Sequence, residues 1–174
     1  MSGTGLAELV ALVGMMGVGK TTTGSALASR LGWSFYDSDE VIEARTGVSG
    51  AVLAARDGVA ALHDLEERTF LDVLDADEPT VVSAAASIVE SSRCRTALER
   101  FTLVVWLEAP IDLLAERVSQ GTHRRPVSAA ATRESLQTRY ERFAEVADLR
   151  LNSTAPTGRL VDAIVTELSR DGRP

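Results

Sequence analysis

Residues 14–21, with the sequence GMMGVGKT, constrain the fold of this chain more than any other stretch. They match the spacing G-x-x-x-x-G-K-[ST], with the apolar run LVALV before them and a helix-like pattern after them. Glycines let backbone N–H groups turn inward around a phosphate, and the start of the following helix favours negative charge. Lys20 would add a point charge, and the Thr21 hydroxyl could ligate Mg²⁺. The segment therefore predicts a buried strand, a phosphate-binding loop and a helix, in that order.

The anion that this loop binds must be held locally, because the chain as a whole is acidic. Its formal net charge of −7 and isoelectric point near 4.9 argue against nucleic acid or an anionic membrane as a partner. No guanine-reading N-K-x-D motif occurs in the sequence, which favours ATP over GTP as the nucleotide. The residues expected to hold it are Gly14, Gly17, Val18, Gly19, Lys20, Thr21 and Thr22.

Apolar runs alternate with helix-like patterns along the chain. This alternation predicts an α/β fold with a five-stranded parallel sheet that helices cover on both faces. A helix is expected from Ser38 or Asp39 to Gly47, and a longer one over residues 58–76. The polar tract 119–132 interrupts the pattern and predicts a mobile loop. The predicted strands are residues 9–13, 34–37, 80–85, 102–107 and 148–152.

Length and cysteine content indicate the organisation and compartment of the chain. With 174 residues and 45% hydrophobic content, it is expected to form one globular domain. Cys94 is its only cysteine and cannot form an internal disulfide, which favours a reducing compartment. The N-terminus lacks the basic start and long apolar core of a signal peptide, and no run approaches the roughly 20 apolar residues of a membrane span. We expect a cytoplasmic protein, and we expect it to be a monomer.

Two aspartates follow the second predicted strand, in the sequence FYDSDEVIE. Because the carboxyl ends of strands in such a sheet border the ligand crevice, Asp37 and Asp39 are candidates for the site. One could reach the magnesium shell, and the other could reach a hydroxyl of a phosphate acceptor. The alternative is that Asp39 only caps the following helix, a position where aspartate is favoured.

The stretch 14–49, GMMGVGKTTTGSALASRLGWSFYDSDEVIEARTGVS, resembles the opening of the shikimate kinases. The phosphate loop, the aspartate pair and the continuation I-E-x-x-T-G-x-S arrive in register. A weaker likeness continues through ALHDLEE, VVSAAAS, THRRPV and R-Y-x-x-x-A, so that it covers almost the whole chain. The resemblance implies a three-layer P-loop kinase fold with the sheet order and mobile lid loop of the nucleoside monophosphate kinase group. It also implies transfer of the γ-phosphate of ATP to a ring hydroxyl of shikimate.

The resemblance implies roles for residues at the phosphate end of the site. Lys20 and Thr21 match the phosphate-binding lysine and the magnesium-binding hydroxyl of the family. Asp37 matches the aspartate of the metal shell. Arg125 matches the lid arginine that closes over the phosphates, and its neighbour Arg124 is a rival for that role.

At the acceptor end, the resemblance implies roles that have alternatives. Asp39 matches the residue that holds the acceptor hydroxyls and could help to deprotonate one. Arg139 matches an arginine that contacts the substrate carboxylate, whereas the alternative is a solvated helix arginine. Glu66 matches a glutamate that supports the substrate site, although it could equally lie on an exposed helix face. The catalytic residues implied are Lys20, Asp39 and Arg125.

The chain departs from the family pattern at two places, both at the acceptor end. Leu62 and His63 stand where the family usually shows phenylalanine-arginine, and Ala84, Ala85 and Ala86 stand where it shows a triple glycine. Histidine lacks the planar fork of arginine, and losing one charged hydrogen bond weakens binding roughly ten- to a hundredfold. Alanine methyl groups would crowd the pocket or force the backbone onto another path, because glycine admits unusual backbone angles. The residues expected to bind the acceptor are Asp39, His63, Ala84, Ala85, Ala86 and Arg139.

These observations predict an ATP- and Mg²⁺-dependent small-molecule kinase. Its expected acceptor is shikimate or a related cyclic polyol or hydroxy acid. The phosphate machinery matches the family, and phosphoryl transfer depends mainly on positioning and charge stabilisation. The altered acceptor residues leave open a nucleotide-binding or regulatory protein that has lost transfer activity. A nucleotide kinase is less favoured, since the acceptor half has little basic surface for a second nucleotide.

Overall fold

The computed structural model describes residues 7–110, 112–114 and 132–170, with the backbone alone at 132–136. Its strands are β1 (Leu9–Val13), β2 (Ser34–Asp37), β3 (Thr80–Ser83), β4 (Leu103–Glu108) and β5 (Leu149–Asn152). Among the described residues, the α-helices of seven residues or more are α1 (Lys20–Leu31), α2 (Ser38–Thr46), α3 (Gly50–Asp57), α4 (Val59–Asp72), α5 (Ser92–Leu98), α6 (Thr132–Val146) and α7 (Thr157–Arg170). Two short 3₁₀ helices follow α4 and β3, at Val73–Asp75 and Ala86–Glu90.

The five strands form one parallel sheet in the order β2-β3-β1-β4-β5. From β1 the chain crosses to β2 on one side, and from β3 it crosses to β4 on the other. The two directions diverge between the neighbouring strands β3 and β1, where Leu12 pairs with Ser83. Ligands of open parallel sheets bind in the crevice at the carboxyl ends of the strands, where the strand order reverses. The predicted five-stranded parallel sheet is confirmed, and its crevice lies beside the loop that follows β1.

Alternate residues of the strands face two separate cores, one on each side of the sheet. One core joins the sheet to α1 and α7 through contacts that include Leu12, Leu27 and Ile164. The other joins the sheet to α4, α5 and α6 and contains the stacked rings of Phe70 and Phe101, whose centroids are 5.6 Å apart. Helices therefore cover both faces, as the alternating pattern of the sequence predicted.

Helices α2, α3 and α4 pack against one another next to the edge strand β2. Their small apolar cluster consists of Ile42, Leu53 and Leu62, each 5% exposed or less. The Tyr36 hydroxyl of β2 donates to the backbone oxygen of Thr69 at 2.9 Å, which ties the strand to α4. These contacts fix α4, which carries the predicted acceptor residue His63 and the supporting residue Glu66, relative to the sheet.

Strands β4 and β5 differ from their predicted bounds by one residue at one or both ends, and the secondary structure departs further from the sequence-based predictions in three places. Strand β3 ends two residues earlier than predicted, because the chain turns into the 3₁₀ helix Ala86–Glu90 and alanine is a weak strand former. The helix predicted over 58–76 ends at Asp72, where the last turn tightens into the first short 3₁₀ helix. Helix α3 was not predicted, and Gly58, with φ 94° and ψ 158°, separates it from α4.

Of the loop predicted over 119–132, only Thr132 lies within the described residues, where it begins α6. The two candidate lid arginines, Arg124 and Arg125, fall outside them. In the part of the chain that the structure describes, no helix is long and apolar enough to cross a bilayer.

Candidate active site

The loop after β1 is shaped by three glycines with positive φ. Gly14, Gly17 and Gly19 have φ angles of 143°, 81° and 98°, a region that residues with a β-carbon rarely adopt. At Gly14, a β-carbon would lie 2.4 Å from the backbone oxygen of Leu107 in β4, so this position also needs glycine for lack of space. Val18, only 1% exposed, packs into the core shared with α1 and α7. These features hold the predicted phosphate loop in one curved conformation.

The start of α1 has no side-chain cap, because Gly19 occupies the N-cap position. Lys20, the first residue of the helix, reaches back across the loop. Its ammonium group donates to the backbone oxygens of Gly14 at 2.9 Å and Met15 at 3.1 Å. Thr22 follows in the first turn and is exposed. A helix N-terminus and an ammonium group thus converge on the same loop, and both attract anions.

The predicted metal-binding residues Thr21 and Asp37 are in direct contact. The Thr21 hydroxyl donates to Oδ2 of Asp37 at 2.7 Å, and Asp37 is only 4% exposed. Its other oxygen, Oδ1, accepts from the backbone N–H groups of Asp39 at 2.9 Å and Glu40 at 3.3 Å. The alternative that Asp39 caps α2 is wrong, since Asp37 is the cap and Asp39 is an exposed residue of the first turn. The spacing D-x-x-E, from Asp37 to Glu40, is the sequence signal for this cap.

Thr21 and Asp37 fit the requirements of a Mg²⁺ site. In the described ranges, no group of three or more histidine, cysteine, aspartate or glutamate side chains is arranged to hold a metal ion. Mg²⁺, however, prefers oxygen ligands and usually combines one or two carboxylates with phosphate oxygens and water. A buried carboxylate bonded to a hydroxyl beside a phosphate loop supplies ligands of that kind.

Several of the predicted acceptor residues lie on elements that pack together near the carboxyl ends of β2 and β3. Helices α4 and α6 both pack on the 3₁₀ helix Ala86–Glu90, and α2 packs on α4. Glu66 of α4 is 8% exposed, and the Ser87 hydroxyl donates a hydrogen bond to its Oε2. The alternative that Glu66 lies on an exposed helix face is therefore wrong. Its spacing of four residues from both Leu62 and Phe70, which are buried, is the sequence signal for this position.

His63 and Arg139 are brought together by Glu90, a residue that no sequence pattern identified. Nε of Arg139 donates to Oε1 of Glu90 at 2.5 Å, and Nδ1 of His63 lies 3.8 Å from Oε2 of the same carboxylate. The Arg139 side chain is 22% exposed and paired, so it is not the solvated helix arginine of the alternative. Glu90 and Arg139 are 49 positions apart in sequence, and only the packing of α6 on the 3₁₀ helix brings them into contact.

Arg139 is positioned by the anchoring of α6 on the sheet. The hydroxyl of Tyr140 donates to the backbone oxygen of Ala109 at 3.1 Å. The rings of Tyr140 and Phe143 pack on Trp106 of β4, with centroids 5.4 and 5.9 Å from its ring. Burial raises the pKa of Tyr140, in keeping with its enclosed hydroxyl. The Arg139 side chain therefore extends from a fixed part of the helix.

The three alanines after β3 do not all place their methyl groups in the predicted acceptor site. Ala84 and Ala85 are 1% and 8% exposed and belong to the core that includes α4 and α5, whereas Ala86 is half-buried. Ala85 has a φ of −59°, and within the described residues only glycines have positive φ. The N–H of Ala84 donates to the backbone oxygen of Leu12 at 3.1 Å. The run follows a path that alanine adopts without strain, and its role in acceptor binding stays a prediction that would rest on backbone atoms.

The loop, lysine and threonine–aspartate pair, set at the crevice of a parallel sheet, define a P-loop enzyme that transfers phosphoryl groups. Residues 16–169 match the sequence profile of the family described as shikimate kinase. The chain belongs to the shikimate kinase family.

Curated relatives and a solved structure agree with this assignment. The chain is 36% identical over 165 residues to a shikimate kinase of Zymomonas mobilis, which covers 92% of this chain and 93% of the relative. It is 32% identical over 163 residues to one of Chromobacterium violaceum, with 88% of each chain covered. A structure of shikimate kinase from Acinetobacter baumannii in complex with shikimate is similar with a TM-score of 0.86 at 25% identity, covering 95% of this chain and 94% of that one. The expected class is confirmed: an ATP-dependent phosphotransferase that uses Mg²⁺ and a small-molecule alcohol acceptor.

Proposed function

We propose that this protein transfers the γ-phosphate of ATP to a ring hydroxyl of shikimate or of a related cyclic polyol or hydroxy acid. The observation that carries the proposal is that both carboxylate oxygens of Asp37 accept hydrogen bonds, each from a different part of the site. One of its oxygens accepts from Thr21 in the phosphate loop, and the other accepts from the backbone of Asp39 at the start of α2. One buried side chain thus connects the metal-binding end of the site to the candidate acceptor-binding residue.

The phosphate end of the site would bind the triphosphate through the loop amides and Lys20. On binding, Lys20 would exchange the backbone oxygens of Gly14 and Met15 for oxygens of the transferring phosphate, where its charge stabilises the transition state. Thr21 and Asp37 would hold Mg²⁺, which neutralises charge on the terminal phosphates. The protein contributes position and charge here, and it forms no covalent intermediate.

Asp39 is the residue proposed to orient the acceptor hydroxyl. Its carboxylate would accept the hydroxyl proton as the bond forms between the acceptor oxygen and the γ-phosphorus. The bond from that phosphorus to the bridging oxygen breaks, and ADP leaves with the electron pair. His63 and Arg139 would contact the acceptor ring. Arg125, outside the described residues, stays the predicted lid arginine.

We also propose that the enzyme is a cytoplasmic monomer and that it has neither nucleic acid nor a membrane as a partner. The net charge of −7 supports the absence of a nucleic-acid partner, because phosphate backbones would be repelled. A single cysteine, Cys94, supports a compartment in which disulfides are rare. Light scattering coupled to size-exclusion chromatography measures the oligomeric state.

The proposed activity is tested by ADP release with purified protein, ATP, Mg²⁺ and one acceptor at a time: shikimate, quinate or a cyclitol. Mass spectrometry of the acceptor should show the gain of one phosphate. Lys20 is the only lysine of the chain, so no other ammonium side chain can replace it. Lys20→Ala should lower turnover by at least about a hundredfold while the protein stays folded, as circular dichroism would show.

Two results would contradict the proposal. One is ADP release that no acceptor accelerates over buffer. The other is unchanged turnover in Lys20→Ala. Acceleration by nucleoside monophosphates, in place of the ring acceptors, would indicate the nucleotide kinase that the sequence disfavours.

A further inference from the structure

The carboxylate of Glu90 lies between two basic side chains of different helices. Its Oε1 accepts from Nε of Arg139 on α6 at 2.5 Å, and its Oε2 lies 3.8 Å from Nδ1 of His63 on α4. These are the two basic side chains that the described structure contributes to the predicted acceptor-binding set. Arg139 is therefore already paired with a carboxylate of the protein itself, and His63 lies near the same carboxylate.

The position of Glu90 is fixed by its backbone. It ends the 3₁₀ helix whose preceding residues, Ile88 and Val89, are 1% and 0% exposed. Nη1 of Arg95 donates to the backbone oxygens of Val89 at 2.6 Å and Glu90 at 3.2 Å. Since Arg139 is also anchored through α6, the two ends of the ion pair are set before any ligand arrives. The pair is 36% exposed at the glutamate and 22% at the arginine, so water screens it only in part.

A ligand carboxylate at this position would meet two disadvantages. It would have to displace Glu90 from Arg139, and it would approach a like charge at short range. Glu66, a second and largely buried carboxyl group, is bonded to Ser87 of the same 3₁₀ helix and adds no compensating positive charge. A ligand hydroxyl meets neither disadvantage, because it can donate to the Glu90 carboxylate and accept from the guanidinium group.

We infer that Glu90 determines acceptor specificity: by pairing with Arg139 in the predicted acceptor site, it makes the enzyme select a neutral polyhydroxylated ring over a ring acid. The inference rests on the proposed function, since it concerns the acceptor of the same transfer. Within the proposed class, it ranks the neutral acceptors above the acidic ones.

The test compares shikimate with its methyl ester, two acceptors that share the ring and hydroxyls and differ in charge. The wild-type enzyme should show a kcat/KM for the ester at least about tenfold above that for the acid. Glu90→Gln keeps the size of the side chain and an oxygen for Arg139, but it removes the charge. In this variant the KM for shikimate should fall at least about tenfold, while the KM values for ATP and for the ester change little.

Glu67→Gln provides a matched control. Glu67 is an acidic residue of α4 paired with Arg93 at 2.8 Å, so the substitution removes the same charge from a neighbouring ion pair. It should leave the ratio of ester to acid unchanged. A shift of that ratio in Glu67→Gln as large as in Glu90→Gln would show a general effect of charge and would overturn the inference.

Binding titrations of acid and ester keep the test decisive if transfer is absent. Shikimate that binds Glu90→Gln no more tightly than wild type overturns the inference, whether or not either protein transfers phosphate. Equal kcat/KM values of wild type for acid and ester also overturn it, although the proposed kinase activity would stand. Failure of the proposed function gives a different result, in which every acceptor leaves ADP release at the level of Lys20→Ala.

Discussion

Replacing Asp37 by asparagine separates the two roles that the structure gives this residue. Asp37 caps α2 through Oδ1 and accepts the Thr21 hydroxyl through Oδ2. Asparagine is about as good an N-cap as aspartate, so its amide oxygen can still accept from the N–H of Asp39. The amide nitrogen that takes the place of Oδ2 can neither accept a hydrogen bond from the Thr21 hydroxyl nor bind Mg²⁺. The substitution spares the helix cap and removes the carboxylate.

The expected magnitudes follow from these contacts. A charged hydrogen bond contributes about 1.5–3 kcal/mol, but the Thr21 hydroxyl can rotate to accept from the new amide, so we expect Asp37→Asn to lose about 1–2 kcal/mol in free energy of unfolding. Asp37→Ala also loses the helix cap, so its free energy of unfolding should be about 1 kcal/mol lower than that of Asp37→Asn. Both variants lose the proposed metal ligand, and their kcat/KM for ATP should fall at least about a hundredfold.

Urea unfolding measures the stabilities, and ADP release over a range of Mg²⁺ concentrations measures the activity. Asp72→Asn is a suitable control, because Asp72 forms an exposed ion pair with Arg45 at 2.6 Å, whose loss should cost under about 1 kcal/mol and leave turnover intact. Asp37→Asn with a kcat/KM within tenfold of wild type would reduce Asp37 to a helix cap and refute the metal assignment. Equal stabilities of Asp37→Asn and Asp37→Ala would refute the capping argument.

Two further predictions concern the loop and the buried thiol. Gly14→Ala should destabilise the protein by about 1–3 kcal/mol and abolish nucleotide binding, because its β-carbon would lie 2.4 Å from the Leu107 oxygen. Gly158→Ala, where nothing lies within 4 Å, should be neutral or stabilising by at most about 1 kcal/mol, and equal effects at the two sites in urea unfolding and ATP titration would contradict the reasoning. Burial raises the pKa of Cys94 from 9.0 to about 11, so its contribution to stability is full below pH 9 and is lost as the pH rises toward 11. The free energy of unfolding should therefore fall more between about pH 8 and about pH 10.5 for wild type than for Cys94→Ala. Equal losses in the two proteins would contradict the assignment of this pH dependence to Cys94.

The parts of the fold that the sequence predicted are those set by local chemistry. The run LVALV is buried along its whole length as β1, and the glycine spacing of residues 14–19 forms the expected loop. The cap of α2 was also within reach, since the D-x-x-E spacing marks Asp37 as the N-cap. The burial of Glu66 likewise follows from helical periodicity with Leu62 and Phe70. In these cases the interacting residues are close in sequence, or they are related by the periodicity of a single helix.

The position of Glu90 depends on contacts that no local pattern encodes. It lies one residue before Ser91, which caps α5, and nothing in the sequence SIVESSR marks its side chain as part of a site. The contact with Arg139 arises because α6 packs on the 3₁₀ helix, and that packing depends on aromatic residues of β4 and α6. A sequence comparison made motif by motif therefore identifies His63 and Arg139 but not the carboxylate between them.

This difference changes the physical reason for expecting weak recognition of an acid. The sequence-based prediction attributed weak recognition of an acidic acceptor to two causes: the absence of an arginine at position 63, and crowding by Ala84, Ala85 and Ala86. In the structure, the methyl groups of Ala84 and Ala85 lie in the core, so they do not crowd the acceptor site, and His63 lies 3.8 Å from Glu90. Glu90 supplies a third cause, competition by an internal carboxylate for Arg139. If the missing arginine were the cause, neutralising Glu90 would leave shikimate binding unchanged, whereas competition requires it to strengthen. The Glu90→Gln comparison therefore distinguishes a donor that is absent from one that is present and already engaged.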